Sequence, residues 1–290
     1  MRVFNFGSLN IDRVYSTDHF VRPGETLTCT SYSEFAGGKG LNQSIALARA
    51  GVAVCHIGKI GKDGIFLREF LAGDGVDVSN IFTTDEPTGH AVIQVDSSAE
   101  NAILLFGGAN QSITQEEIEG ALEPSSEGDW LLLQNEINRL DEIMQFAADK
   151  GLRIVFNPAP MTSEIHSLPL GVVNWLIVNE WEGEMITGQQ SPERILETAV
   201  TRFPAMSIIL TLGSQGVHFA DRSQKLYIPA EQVTPVDTTG AGDTFIGYFI
   251  AEIVTGSSVK KAMRTANRAA ASCVTKPGAA TSIPYRYELA

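Results

Sequence analysis

Short apolar runs alternate with amphipathic stretches along most of this chain, a pattern that predicts strands followed by helices. The first strand is predicted over Val3–Leu9, and a helix over Asn42–Ala50 follows a glycine-rich turn. A strand at Ala53–Ile60 and a helix near Ile65–Ala72 come next. From residue 112 the rhythm is regular. It predicts helices over 114–122, 138–150, 180–187, 191–203, 241–255 and 258–275, and extended runs over 129–134, 152–157, 172–178, 207–212, 217–220 and 225–229.

Two stretches, residues 12–36 and 88–107, interrupt this rhythm with extended segments that suit β hairpins. Elsewhere the alternation of strands and helices implies a mostly parallel sheet covered by helices on both faces. We expect both hairpins to join one small sheet beside the carboxyl ends of the main strands, where open α/β folds bind ligands. Two unrelated surface hairpins are the alternative.

Composition narrows the class of protein. The chain has 290 residues, 43% of them hydrophobic, which suits one globular domain or one domain with an elaboration. Its formal net charge of −13 argues against nucleic acid or an anionic membrane as partner, but a local site can still bind an anion. We find neither a signal peptide nor an apolar run of about 18 residues, so we expect a cytoplasmic protein. The cysteines and histidines show no metal-binding spacing.

The strongest chemical signal lies in Val236–Phe245. Small residues there precede an apolar helix, so the first helical N–H groups would face an anion, although no Walker sequence is present. Asp243 falls in the first helical turn. It is either an N-terminal cap or a general base toward a hydroxyl that attacks a phosphoryl group.

A second glycine-rich turn, Gly37–Asn42, also precedes a helix. Its backbone N–H groups, Lys39 and Asn42 could bind a polyhydroxyl ligand, although such loops are also common without a ligand. Asn10 and Asp12 follow the first strand, where they are either sugar-hydroxyl partners or turn formers.

Two further segments follow predicted strands. Asn179 and Glu182 are three residues apart, a spacing that suits either hydrated Mg²⁺ or a helix cap. Thr211–Gly216 ends another strand with two glycines, where the backbone could approach a nucleotide. We expect all these segments to lie at the carboxyl ends of strands, the side on which such sheets bind ligands.

Taken together, the segments resemble the ribokinase family of sugar kinases, also called PfkB carbohydrate kinases. The resemblance implies an α/β, ribokinase-like three-layer sandwich with a mostly parallel central sheet and a small β-sheet lid. It also implies a single domain over residues 1–290, with the lid formed by about 12–36 and 88–107. The segments that carry it are Gly7–Asp12, Pro23–Thr26, Gly37–Gln43, Gly107–Asn110, Asn157–Pro160, Asn179–Glu182, Thr211–Gly216, Asp237–Phe245, Gly278–Ala279 and Ser282–Pro284.

Within the family the likeness is greatest to ribokinases, which implies ATP-dependent transfer of the γ-phosphate to the primary 5-hydroxyl of D-ribose. The resemblance assigns the general base to Asp243 and the anion hole to Gly240, Ala241 and Gly242. Positions matching sugar contacts are Asn10, Asp12, Gly38, Lys39, Gly40, Asn42, Glu136 and Asp243. Positions matching contacts with Mg²⁺–ATP are Asn179, Glu182, Thr211, Gly213, Ser214, Gly216, Gly242 and Asn267. Positions matching a monovalent-cation site, normally for K⁺, are Asp237, Thr239, Cys273, Lys276, Gly278 and Ser282.

Three positions depart from the family pattern: Leu41 beside the sugar-binding glycines, Asn267 near the adenine, and Pro277 in the cation loop. Leu41 replaces a usual alanine and could reshape the pocket, so another pentose, a hexose or a nucleoside is the alternative acceptor. A non-catalytic sugar- or nucleotide-binding regulator is a more distant alternative. The resemblance further implies that the lid covers the sugar, excludes water and pairs between subunits of a homodimer.

Overall fold

The computed structural model describes residues 1–98 and 100–289. Ala99, inside the predicted lid segment 88–107, and Ala290 lie outside the described residues. The strands are β1 (Val3–Phe6), β2 (Asn10–Ser16), β3 (Ser31–Gly37), β4 (Val54–Gly61), β5 (Asp77–Thr84), β6 (Gly89–Val95), β7 (Asn101–Phe106), β8 (Trp130–Gln134), β9 (Arg153–Asn157), β10 (Trp175–Asn179), β11 (Ser207–Thr211), β12 (Val217–Ala220) and β13 (Lys225–Ile228). The helices are α1 (Lys39–Arg49), α2 (Ile65–Gly73), α3 (Gln115–Leu122), α4 (Leu140–Asp149), α5 (Glu180–Thr187), α6 (Pro192–Arg202), α7 (Ala241–Val254) and α8 (Val259–Cys273).

In the part of the chain that the structure describes, nine strands form the main sheet in the order β13-β12-β11-β10-β9-β8-β1-β4-β5. The strands from β11 to β5 in this order pair in parallel, whereas β12 and β13 extend the sheet antiparallel. Within residues 1–98 and 100–289, no helix is both long and apolar enough to cross a membrane.

Alternating side chains of the main sheet enter two separate cores, as expected for strands buried on both faces. Leu132 packs in the core beneath α1, α2, α7 and α8, whereas its neighbours Leu131 and Leu133 pack in the core beneath α3 to α6. The architecture is therefore a three-layer sandwich, and the predicted fold class is confirmed.

A second sheet, in the order β3-β2-β6-β7, contains four strands of the described residues. Antiparallel pairing forms the hairpins β2/β3 and β6/β7, and parallel pairing of β2 with β6 joins them, with Asn10 opposite Gly89. The prediction that both hairpins share one sheet is therefore confirmed. That this sheet acts as the lid of a single domain stays a prediction.

The strand β5 was not predicted from the sequence. Only Ile81 in this strand is buried, and polar residues such as Asp77 and Asn80 weaken the apolar signal of this edge strand. The first strand is also shorter than predicted, because the chain leaves the main sheet after Phe6 and enters the second sheet at Asn10.

Candidate active site

Helix α7 begins directly after a glycine-rich turn. Gly240 has a φ of 77°, in the left-handed region that favours glycine, and Ala241 is the first helical residue. The amide of Thr244 donates to the Gly240 carbonyl at 2.8 Å and closes the first turn. The amides of Gly242 and Asp243 precede that bond, so they are oriented for an anionic ligand.

Two amide side chains of α1 hold the Asp243 carboxylate, whose residue is only 8% exposed. Asn42 Nδ2 donates to Oδ2 at 3.0 Å, and Gln43 Nε2 donates to Oδ1 at 2.8 Å. Asp243 lines a cavity of about 250 Å³ together with Lys39 and Glu182. The carboxylate is therefore fixed at both oxygens and still borders open space, which suits a group that accepts a proton from a bound ligand.

Other charged side chains surround Asp243. Burial, with the negative charges of Glu136 and Asp243, raises the pKa of Asp12 to about 7. Burial also raises the pKa of Glu136, whose Oε2 accepts hydrogen bonds from Ser8 Oγ and, at 3.0 Å, from the Lys39 amide. The Asp243 carboxylate raises the pKa of the Lys39 ammonium against the effect of burial. The cluster therefore contains one cation among several carboxyl groups.

Protein groups already occupy the backbone donors at the start of α1. The Lys39 amide bonds Glu136, the Gly40 amide donates to Ser8 Oγ at 3.2 Å, and the Leu41 amide donates to the Ser8 carbonyl at 3.0 Å. A Cβ on Gly40 would lie 2.4 Å from Ser8 N, so the helix can approach this turn only because the residue is glycine. This turn therefore offers a ligand side chains rather than those N–H groups.

Asn10, at the start of β2, is held in one orientation by Asn110. Asn110 Oδ1 accepts from the Leu9 amide at 3.0 Å, and Asn110 Nδ2 donates to Asn10 Oδ1 at 2.8 Å. Because the Leu9 amide can only donate, the polarity of both side-chain amides is fixed. Asn10 Nδ2 is then the group that this residue can offer to a sugar hydroxyl.

Asn179 and Glu182 form a capping box at the start of α5. Asn179 Oδ1 accepts from the Glu182 amide at 2.8 Å, and Glu182 Oε2 accepts from the Asn179 amide at 3.0 Å. Burial raises the pKa of Glu182, which lines the same cavity as Asp243. The structure thus contains the cap, and it also places both oxygen donors beside the candidate base.

A second cavity, of about 320 Å³, adjoins the first and has mostly apolar walls that include Val233 and Ala270. Gly242, Thr211 and Thr238 line both cavities. The residues predicted to contact a nucleotide that line this second cavity are Thr211, Gly213, Ser214, Gly216, Gly242 and Asn267. Asn267 Nδ2 donates to the Pro229 carbonyl at 3.1 Å, which fixes its side chain at this wall.

Five of the six predicted cation positions lie together. Asp237 Oδ1 accepts from the Thr239 amide at 2.9 Å, and Oδ2 accepts from the Gly278 amide at 2.8 Å. Burial alone would raise the pKa of Asp237, but the hydrogen bonds with Thr239 and Gly278 together outweigh it and lower the pKa. Cys273 Sγ lies 3.0 Å from Ser282 Oγ and 3.9 Å from the Thr239 carbonyl.

The sixth position, Lys276, turns its ammonium to Glu288 at 3.1 Å, so only its backbone remains beside the cluster. Across residues 1–98 and 100–289, no group of three or more His, Cys, Asp or Glu side chains is arranged to hold a metal ion.

Comparison with known proteins decides the family. A family model described as pfkB family carbohydrate kinase matches residues 2–286. The chain belongs to the pfkB family of carbohydrate kinases. The predicted family and the predicted class of enzyme are therefore confirmed.

Individual family members align over nearly the whole chain. A ribokinase of Haemophilus influenzae is 37% identical, with 97% of this chain and 95% of the relative covered. The crystal structure of a Cryptococcus neoformans ribokinase in complex with ADP matches with a TM-score of 0.85 and 35% identity, covering 99% and 98% of the two chains. The structure of Arabidopsis thaliana ribokinase complexed with ribose and ATP matches with a TM-score of 0.87 and 27% identity, covering 99% and 97%.

Two expectations about this pfkB-family site need correction. Leu41, expected to reshape the pocket, is fully buried in the core beneath α1. It lies one residue from Asn42, and successive helical side chains point in directions about 100° apart. The segment Asp237–Asp243 follows no strand directly, because residues 229–240 separate β13 from α7. Its end nevertheless lines the same cavity as Asn157 and Asn179, at the carboxyl ends of β9 and β10.

Several residues that hold the site together had no role predicted from sequence: Gln43, Asn110, Gln134 and Asn157. Gln43, Asn110 and Asn157 stood in the family-like segments without a role. Gln134 had one signal, a polar residue that ends the otherwise apolar strand β8.

Proposed function

We propose that this chain is an ATP-dependent kinase that transfers the γ-phosphate of ATP to the primary 5-hydroxyl of D-ribose. The observation that carries the proposal is the position of Gly242 between two adjoining cavities. Asp243 borders one of them, and the residues predicted to contact a nucleotide line the other. An acceptor hydroxyl in the first cavity would meet a phosphate from the second at the amino end of α7. The similarity to ribokinases, including one complexed with ribose and ATP, supports this acceptor and donor.

In this proposal Asp243 accepts the proton of the 5-hydroxyl as its oxygen attacks the γ-phosphorus. Asn42 and Gln43 hold the carboxylate through Oδ2 and Oδ1, so it does not have to reorient during the transfer. The amides at the start of α7 stabilise charge on the transferring group. Lys39, in the same cavity, adds a positive charge.

We assign contacts with the sugar to Asn10, Asp12, Lys39, Asn42 and Glu136. Asn10 and Asp12 lie outside the lining of the cavity that Asp243 borders. The charges of Glu136 and Asp243 act on Asp12, and Glu136 accepts a hydrogen bond from the amide of Lys39, which lines that cavity. Carboxylate oxygens accept hydrogen bonds from hydroxyls, and side-chain amides can both accept from hydroxyls and donate to them. These residues therefore suit a polyhydroxyl ligand.

The residues that would hold Mg²⁺ with ATP are Asn179 and Glu182, whose oxygens suit a hard, hydrated cation. The bound ion would supply neutralisation of phosphate charge. Glu182 is 5% exposed and already bonded to the Asn179 amide, so its remaining oxygen capacity would reach phosphate-bound ions through water.

We propose that K⁺ binds beside α7 through Asp237 and through backbone carbonyls of residues 273–282, the segment that faces Asp237. The anionic carboxylate and the nearby Thr239 carbonyl fit a weakly hydrated cation, and this role needs no side chain from Lys276. With Mg²⁺ present throughout, we expect initial rates to be higher in potassium buffer than in a buffer whose only monovalent cation is tetramethylammonium. Equal rates at matched ionic strength would contradict the assignment.

We further propose a homodimer formed through the second sheet. Its edge strand β7 exposes Ile103, Leu104, Leu105 and Phe106 by 51–71%, and large apolar side chains exposed together at a sheet edge are typical of an interaction surface. We place the reaction in the cytoplasm, where ATP is available.

The decisive experiment measures ADP release with a coupled assay for D-ribose, 2-deoxy-D-ribose, D-fructose and adenosine. We expect the largest kcat/KM for D-ribose and identification of the product as the 5-phosphate by ³¹P NMR. A kcat/KM for fructose or adenosine equal to that for ribose would overturn the assigned acceptor, and no ADP release with any acceptor would favour a non-catalytic binding protein.

A further inference from the structure

Gln43 is fully buried behind the candidate base and touches it directly. Its Nε2 lies 2.8 Å from Asp243 Oδ1. We propose that Gln43, itself oriented by Gln134 and Asn157, is a positioning residue that fixes the Asp243 carboxylate for proton transfer. This inference rests on the proposed function, in which Asp243 is the base.

A chain of hydrogen bonds fixes which end of the Gln43 amide faces Asp243. The Gly40 carbonyl can only accept, so Asn5 must present Nδ2 to it, at 2.7 Å. Asn5 Oδ1 therefore accepts from Gln134 Nε2 at 2.9 Å, and the same Nε2 donates to Gln43 Oε1 at 2.7 Å. Gln43 is then left with Nε2 as a donor toward Asp243.

A second series of hydrogen bonds, which begins at β10, fixes the same orientation of the Gln43 amide. The Ile177 carbonyl, in β10, accepts from Asn157 Nδ2 at 3.0 Å. Asn157 Oδ1 consequently faces Gln43 Nε2, at 3.5 Å. Backbone carbonyls of α1 and β10 therefore specify the orientation of Gln43 independently.

Burial makes these orientations costly to reverse. Asn5, Gln43 and Gln134 are each 0% exposed, and Asn157 is 6% exposed. Reversing one amide would bring two acceptors together in the interior, where a polar group left without its hydrogen bond is strongly destabilising. The network therefore keeps the base in one orientation, and it connects the base to the sugar-side turn through Gly40.

Gln43→Leu tests the role because leucine fills similar space without an amide. We expect kcat for D-ribose to fall by about 10–100-fold, the scale for a misplaced reacting group, with KM for ATP changed less than about threefold. Asn174→Leu is the matched control. Asn174 holds the Ile154 amide at 2.7 Å at the opposite, amino-terminal ends of the strands, so its loss should leave kcat unchanged.

Gln43→Glu supplies a readout that a purely structural role would not give. The introduced carboxyl, when protonated, can donate to Asp243 as the amide does, whereas its ionised form opposes Asp243 with like charge. We therefore expect kcat of Gln43→Glu to decrease as pH rises between about 6 and 9, a decrease absent from the wild type and from Gln43→Leu. The charged groups near Asp243 are Asp12 (β2), Lys39 (α1), Glu136 (after β8) and Glu182 (α5), and they are identical in all three proteins.

The outcomes separate this inference from the function on which it rests. If Asp243→Asn keeps near-normal turnover, Asp243 is not the base and the proposed mechanism fails. If Asp243→Asn is inactive while Gln43→Leu keeps wild-type kcat, only the positioning role is overturned. Should Gln43→Leu fail to fold, Gln43→Glu decides alone: a pH profile parallel to that of the wild type would refute the role.

Discussion

The amino ends of α1 and α7 follow similar sequences but offer a ligand different chemistry. Both turns contain a glycine with positive φ, Gly38 at 97° and Gly240 at 77°. At α1 the next three amides bond Ser8 or Glu136, and the residues after Gly38 are largely buried. At α7 the turn borders two cavities, and Gly242 is exposed.

The difference shows that glycines followed by a helix do not by themselves predict an anion site. At α1 the first backbone N–H groups of the helix donate to acceptors supplied by the protein, whereas at α7 the first N–H groups face open space. The α1 turn instead contributes side chains, and two of them, Asn42 and Gln43, act on Asp243 of the other helix. One turn supports the base that the other turn carries.

The largest expected effect comes from Asp243→Asn, which removes the base from the α7 turn while preserving its shape. We expect kcat to fall by at least ~10²-fold, the scale of general acid–base catalysis. Steady-state kinetics with D-ribose and ATP measure the change. Asp221→Asn, in an exposed surface turn, serves as the matched control and should retain normal turnover.

Next, Gly40→Ala tests the close approach at the α1 turn. Its Cβ would lie 2.4 Å from Ser8 N, and backbone atoms cannot move aside as the end of a side chain can. We expect the free energy of unfolding, measured by urea titration, to fall by about 1–3 kcal/mol. An unchanged urea midpoint would mean that this turn is not tightly packed.

Gly242→Ala makes the same change at the α7 turn and should behave in the opposite way. A Cβ there meets no atom within 4 Å, so stability should not fall. The methyl group would project into the boundary between the two cavities, and we expect kcat/KM for ATP to fall about tenfold. Gly120→Ala in α3, where a Cβ also meets nothing, is the control for both glycine variants. Normal ATP kinetics for Gly242→Ala would argue against phosphate at this turn.

A smaller effect is expected from pH, acting through Asp12 on the α1 side. Its pKa is raised to about 7, so the group is largely protonated at pH 6 and largely ionised at pH 8. An ionised carboxylate accepts stronger hydrogen bonds from hydroxyls, so KM for D-ribose should fall several-fold across this range. In Asp12→Asn this dependence should be lost.

The same shift has a consequence for stability. Because the folded pKa of Asp12 lies above the ordinary 3.8, the folded protein binds more protons than the unfolded chain between these values. Asp12 therefore makes the protein less stable as pH rises from about 4 to 7. Asp12→Asn should raise Tm relative to the wild type more at pH 8 than at pH 5, and an equal difference at both values would contradict the raised pKa.

The layered fold could be predicted because each buried strand and helix carries its own apolar period. The strand β5 could not, since an edge strand such as Asp77–Thr84 needs few apolar residues and is defined by its backbone pairing with β4. Asp243 and its glycines could be singled out because the local sequence already combines a helix start with small residues.

The hydrogen-bond network that supports Asp243 could not be predicted from local sequence. Gln43 and Gln134 are separated by 91 residues, and nothing near either one indicates the other. The opposite error arose at Leu41, where a change beside binding residues was expected to alter the pocket. The helical rotation between Leu41 and Asn42 places the leucine in the core instead.

The contact between Asn42 and Asp243 spans 201 residues, and it has a consequence for biosynthesis. At about 5–20 residues per second, a ribosome needs about 10–40 s to reach Asp243 after it has added Asn42. During that time the apolar face of α1 lacks α7, against which it later packs so closely that a Cβ added at Gly247 would lie 2.3 Å from Ala46 Cβ. A nascent chain interrupted in this interval would be inactive and would expose core surface to chaperones and to other unfinished chains.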